Sequence, residues 1–214
     1  IKSNDIVFCN FNFVSESNEV TLHKHPENFI LGDNMKLLEQ MCKKRVHLNN
    51  LWAALVRRDL LSGIVYPDGN MGEDLLIMRQ IVYRARSYSY IDEPLYNYLI
   101  QVKSISHSNS INCCIKRLSE FKKNIDLYDI FVENIIKEEP FKDLLIIDKL
   151  TTRFFLWPQI ENAECQKIWS QTYPEIDKKI WLCRYVSLKE KFYSFSLKFH
   201  MLPLLILLRK ICRK

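Results

Sequence analysis

The chain has 214 residues, 48% of them hydrophobic and 26% charged, with a net charge of +6. That balance excludes a disordered chain and supplies a proper core for one large domain or two small ones. Four glycines, with no Gly-rich phosphate-binding pattern, argue against a P-loop or dinucleotide cradle.

Asp5 to Val14 begins as a continuous apolar run and turns into an alternation of Phe11 and Phe13 with Asn10 and Asn12, which predicts a strand. Ser15–Glu19 reads as a turn and Val20-Thr21-Leu22 as a short returning strand. Asp33 or Asn34 caps a predicted helix through about Lys44. Leu51–Leu61 is apolar around the basic pair Arg57-Arg58 and fits a strand running into a short helix. Pro67, Asp68 and Gly69 then predict a turn, followed by a helix to Arg84. Ser89–Asp92 and Pro94–Tyr98 predict two short strand-like pieces. From Ser110 onward the spacing becomes helical, over 111–137, 141–157 and 161–172, with Pro140, Pro158 and Pro174 as punctuation.

Gly72-Glu73-Asp74 stands where the turn becomes the helix. Carboxylates at a helix start serve the helix, because free amides and the macrodipole favour anions there. The same place suits a general base, held rigidly yet exposed at its mouth. Position alone leaves both roles open.

Charge is balanced through 1–186, while residues 187–214 carry seven basic residues against Glu190 alone. In that tail Phe192, Phe195, Phe199, Leu202 and Ile206 fall at helical spacing, and the Met201–Leu208 run is far short of the roughly 20 residues that span a bilayer. It suits a helix lying on an anionic membrane surface, or one packed on the protein's own core. The seven cysteines are odd in number and lack a Cys-x-x-Cys pair, as for reduced, mostly buried thiols in the cytoplasm. Ile1 opens without a signal-peptide pattern and leaves room for an upstream portion. The histidines lack zinc-ligand spacing, and Cys113-Cys114 suits helix packing better than nucleophilic catalysis. Tyr83, Tyr88, Tyr90, Tyr96 and Tyr98 lie near Arg79, Arg84 and Arg86, but the local charge balance argues against a nucleic-acid partner.

Four segments in order resemble the second half of bacterial family-2 GT-A inverting glycosyltransferases: Trp52-Ala53-Ala54-Leu55-Val56-Arg57-Arg58, Tyr66-Pro67-Asp68-Gly69 leading to Gly72-Glu73-Asp74, Asp92-Glu93-Pro94-Leu95-Tyr96-Asn97-Tyr98, and Ser104-Ile105-Ser106. The resemblance covers about residues 5–108 and implies an α/β fold. That fold is the C-terminal part of a GT-A-like mixed sheet with helices over 1–110, then an all-α extension over 111–186 and the basic amphipathic tail, 187–214. It implies Asp74 as general base toward an acceptor hydroxyl, supported by Glu73. Ser104 and Ser106 match a loop that closes over the donor diphosphate; Lys103, beside them with its positive charge, and His107 in the same loop are added from the residues themselves. Trp52, Arg57 and Arg58 fall on the acceptor side. The implied partners are a nucleotide-sugar donor and a glycan or lipid-linked acceptor for cell-surface polysaccharide, at the cytoplasmic face of the plasma membrane.

The chain departs from the pattern at Leu99, where relatives carry Arg, and at Ala53-Ala54, where they carry Asn-Lys. The nucleotide-binding first half and its metal-binding Asp-x-Asp do not occur in 1–214, and Asp68-Gly69-Asn70 is a turn rather than a displaced metal site. No cofactor is therefore expected in this fragment; a divalent metal, Mg or Mn, is expected only with the missing half. The fragment alone is expected to be inactive. The rival reading is a non-catalytic module of glycosyltransferase origin that binds a glycan, a partner subunit or a membrane.

Overall fold

A computed structural model describes residues 4–24, 34–42, 48–69, 71–101, 109–135, 139–199 and 201. The fold is mixed α/β. Its sheet is built on β1 (Ile6–Val14), with β2 (Val20–His23) and β3 (Ala54–Val56) antiparallel to it and β4 (Tyr88–Leu99) parallel. β4 runs along the whole of one edge of β1. β3, against Ile6–Phe8, and β2, against Phe11–Val14, therefore share the other edge end to end.

The apolar start of β1 explains its central place: Ile6, Val7 and Phe8 are buried on both faces. Toward Val14 the strand becomes half-exposed, as the alternation with asparagine requires. The two strand-like pieces expected at 89–92 and 94–98 are instead one strand. Register shifts between Cys9, Asn10 and Phe11 let β4 bulge around Asp92–Leu95, which accommodates Pro94 and its missing N–H. Buried Asn10 closes the bulge by donating to the Asp92 carbonyl at 3.1 Å and its carboxylate at 2.8 Å, and it accepts from the Tyr90 hydroxyl.

The described helices are α1 (Asn34–Cys42), α2 (Glu73–Arg84), α3 (Ile111–Ile135), α4 (Glu139–Phe154), α5 (Ala163–Gln171), α6 (Ile176–Leu182) and α7 (Leu188–Lys198). The short α6, between Pro174 and Cys183, has no counterpart in the sequence reading. One apolar core runs from Ile6 and Phe8 of β1 through Leu76 and Ile81 of α2 to Ile125 and Tyr128 of α3 and Leu144 of α4. A smaller cluster joins the start of α3 to Leu156, Cys165 and Trp169.

Two buried charged groups tie these layers together. Arg79 of α2 and Asp148 of α4 pair at 3.3 Å, and Arg79 also donates to the Asn49 side chain at 3.2 Å. Burial lifts the Asp148 pKa above the ordinary carboxylate value, with the Arg79 charge opposing it. Arg153 donates to the carbonyls of Thr172 and Tyr173, both at 2.6 Å, and to Asp177 at 2.7 Å, fixing the turn between α5 and α6.

α7 begins with a capping box between Ser187 and Glu190. It packs on the body through Tyr193 stacked on Trp157 at 4.6 Å and Phe195 edge-on to Trp181 at 5.9 Å. Leu188, Phe192 and Phe199 stay exposed. No helix among the described residues is long and apolar enough to cross a membrane. Residues 202–214 of the tail lie outside the described residues.

Candidate functional site

The turn before α2 is clamped from outside. Asn124, fully buried on α3, accepts from the amides of Asp68 at 3.1 Å and Gly69 at 3.4 Å, and donates to the carbonyls of Gly69 at 3.1 Å and Met71 at 2.8 Å. Gly69 lies so close to α3 that a Cβ there would meet the Glu120 carbonyl oxygen at 2.2 Å. Gly72 is the N-cap of α2, with φ +78°, and a Cβ there would stand 2.7 Å from the Phe121 ring. Both the left-handed backbone and the close approach require glycine at position 72.

Glu73 and Asp74 open α2 behind this clamp, both half-buried. Burial lifts the Asp74 pKa above the ordinary carboxylate value, and the neighbouring Glu73 charge adds to the lift. The nearby Leu51 amide pulls it partly back. The carboxylate therefore lies by the 3-10 turn Leu51–Ala53, and Arg79 of the same helix holds Asn49, two residues before Leu51.

Trp52 is the centre of an aromatic surface. Its ring stacks on Tyr96 at 4.5 Å and 30° and on Tyr98 at 5.2 Å and 29°, and meets Phe11 edge-on at 4.7 Å. His23 stacks on the Phe11 ring at 4.5 Å. The sheet register produces the cluster, because Phe11 pairs with Tyr96 on one side and His23 on the other. Trp52 is half-exposed and Tyr96 is 39% exposed, so the surface is open to a ligand. A flat aromatic face offers a pyranose ring an apolar partner for its C–H groups, while its hydroxyls stay free for polar contacts.

Comparisons with known proteins give no match: no protein-family model, no curated protein and no solved structure.

Of the residues expected at the site, Asp74 lies by the Leu51 amide, with Glu73 beside it at the start of α2 and Trp52 next in the chain to Leu51. Arg57 is committed elsewhere. It pairs with the buried Asp5 and forks onto Asp59 at 2.5 and 2.7 Å, and Asp5 in turn accepts from the Arg86 amide. Arg58 is exposed at the start of the 3-10 turn Arg58–Leu61. Neither arginine bonds to Glu73 or Asp74 among the described residues. Lys103, Ser104, Ser106 and His107 lie outside the described residues. No group of three or more His, Cys, Asp or Glu side chains among the described residues is placed to hold a metal ion.

Asn124, Arg79, Tyr96 and Tyr98 are the positioning and lining residues that the sequence reading does not assign to the site. Asn124 left a signal, as the one amide on an apolar stripe with Phe121, Ile125 and Tyr128. A cavity of about 660 Å³ between α3, α4 and α6 lies apart from these groups. Burial alone would lower the pKa of its Lys149, but hydrogen bonds to Asp129 and Glu175 outweigh burial and raise it.

Proposed function

We propose that this chain is the acceptor-side part of a nucleotide-sugar-dependent inverting glycosyltransferase that builds a cell-surface or lipid-linked glycan. The observation that carries the proposal is one juxtaposition. A half-buried carboxylate with raised proton affinity, Asp74, lies by the amide of Leu51, the chain neighbour of Trp52 at the centre of an open aromatic surface. A base works best with its pKa drawn toward neutral pH and its carboxylate fixed within hydrogen-bond reach of the proton it takes. Burial and Glu73 supply the first condition, and the Asn124 clamp and Leu51 the second.

In this mechanism the acceptor sugar lies against Trp52 and Tyr96, and one hydroxyl faces Asp74. Asp74 takes that proton as the hydroxyl oxygen bonds to the donor's anomeric carbon from the side opposite the leaving group. The anomeric C–O bond breaks, and its electron pair leaves on the nucleoside diphosphate. One displacement inverts the centre. The resemblance assigns donor binding and any divalent metal to a nucleotide-binding half with an Asp-x-Asp, and no step of the chain's own residues passes through that metal. The basic tail would hold the enzyme at the cytoplasmic membrane face, where lipid-linked acceptors lie.

The test is nucleotide release from a panel of sugar-nucleotide donors by the full-length protein, wild type against Asp74→Asn. A loss of about 10²-fold or more in the variant, with donor binding retained, is the expected result. Equal release by both removes Asp74 as the base. Release by neither favours a non-catalytic glycan-binding module.

A further inference from the structure

A cleft of about 390 Å³ opens between α5, α6 and α7, far in sequence from Asp74. Its walls carry Lys167 and Ser170 of α5, Asp177 of α6, and Ser194 and Lys198 of α7, with Arg153 of α4 at its base. Asp177 pairs with Arg153 at 2.7 Å and with Lys198 at 3.3 Å, and with Lys167 the three cations leave the cleft a net positive charge. Arg153, 2% exposed, uses three of its five N–H groups on Thr172, Tyr173 and Asp177. Ser194 is 9% exposed, and its hydroxyl has no hydrogen-bond partner among the described residues. A buried hydroxyl left without a partner costs stability, and an acceptor placed in the cleft would remove that cost.

A second groove, of about 240 Å³, adjoins the first, and Asp177, Ser194 and Lys198 line both. Its other walls are Lys178, Trp181, Phe195 and Phe199. Trp181 is 51% exposed and Phe199 56%. A cationic pocket with a spare hydroxyl donor thus lies beside an aromatic trough, the two meeting at the Lys198–Asp177 ion pair, 3.3 Å.

We infer that the cleft and groove together bind an amphiphilic phosphate, its phosphate between Lys167, Ser194 and Lys198 and its chain along Trp181, Phe195 and Phe199. Lys and Ser donors suit phosphate oxygens, and the positive excess matches a phosphate of one or two negative charges. The trough is what favours a lipid over free phosphate, because a free ion has no use for three aromatic walls. The site is independent of Asp74 and shares with the glycosyltransferase reading only the expectation of a membrane face.

Dodecyl phosphate, inorganic phosphate and dodecyl maltoside are the probes, with binding followed by the fluorescence of Trp169 and Trp181 and checked by calorimetry. Dodecyl phosphate should bind at least about tenfold more tightly than either other probe, and Lys167→Glu should weaken it about tenfold. Ser194→Ala, which removes no internal hydrogen bond, should weaken it about threefold without lowering the thermal midpoint. Sedimentation with phosphatidylcholine vesicles, with and without phosphatidic acid, forms the second arm, and Lys116→Glu on exposed α3 serves as an equal change of charge. Phosphatidic acid should raise pelleting, and Ser194→Ala should reduce that gain. Inorganic phosphate binding as tightly as dodecyl phosphate overturns the lipid assignment. Unchanged dodecyl phosphate binding in both cleft variants overturns the site, as does pelleting that falls equally in Lys167→Glu and Lys116→Glu but not in Ser194→Ala. Asp74→Asn should bind dodecyl phosphate like the wild type, which separates a failure here from a failure of the catalytic proposal.

Discussion

Asn124→Ala tests whether α3 holds the carboxylate turn in place. The side chain makes four contacts to residues 68–71, at 2.8, 3.1, 3.1 and 3.4 Å, and the last is too long to weigh fully. Three sound hydrogen bonds at about 1 kcal/mol each give about 3 kcal/mol of lost stability. Buried Gly69 pushes this upward, since water does not readily replace the partner of its carbonyl. For a chain of this size that loss lowers the thermal midpoint by about 6–12 °C. Circular dichroism melts and urea unfolding measure it directly. A loss under about 1 kcal/mol would refute the clamp and leave the turn held by Gly72 and Phe121 packing alone. Asn124→Asp sharpens the test, because its carboxylate keeps the acceptor and replaces the donor that serves Gly69 and Met71. Burial beside two carbonyls raises the folded pKa of the new acid. The stability of this variant is therefore best below the unfolded value of about 4 and is lost as pH rises, so its deficit against wild type should widen between about pH 4 and 7.

Three further outcomes are expected. Asp74 has a raised folded pKa, so its contribution is present below the unfolded value of about 4 and lost as pH rises through the folded one. Asp74→Asn should therefore raise the thermal midpoint at pH 7 while abolishing nucleotide release, and the gain should vanish at pH 4; a lower midpoint at pH 7 contradicts the buried-carboxylate account. Gly72→Ala should cost about 1–2 kcal/mol from the left-handed backbone alone, and Phe121→Leu should relieve part of the excess over that value in a double-mutant cycle, additivity being the adverse result. Arg79→Met leaves Asp148 as an uncompensated buried charge and should cost about 3–5 kcal/mol, most of it recovered in Arg79→Met/Asp148→Leu; a double variant no more stable than the single one would show that the pair is not the cause.

Local chemistry made β1, the start of α2 and the long α3 legible, because each carries its own period or turn residues. Groups whose partners lie far along the chain were not legible. Arg57 is plain in the sequence, yet its pairing with Asp5 depends on β1 and β3 lying side by side. Trp52 is just as plain, but its stack on Tyr96 and Tyr98 depends on the β1–β4 register, with a bulge that shifts β4 past Pro94. Pro94 misled in the other direction. It reads as a break between two strands, whereas one bent strand absorbs it. Asn124 acts on residues more than fifty positions away, so its place on an apolar stripe marks it out without naming its partners.

The same distinction bears on the two roles open to Glu73-Asp74. A capping side chain accepts from amides of its own first turn, as the carboxamide oxygen of Asn162 does for α5 with Glu164 and Cys165. α2 is built differently. Its N-cap is Gly72, which has no side chain, and no side-chain cap bond forms there. The amide that acts on the Asp74 carboxylate is that of Leu51, across a gap in sequence that only the tertiary fold closes. Burial raises the Asp74 pKa and, beside Glu73, is unfavourable to folding at neutral pH. A carboxylate kept at such a cost, close to the turn that carries Trp52, is consistent with the proposed base as well as with a charge serving the helix start.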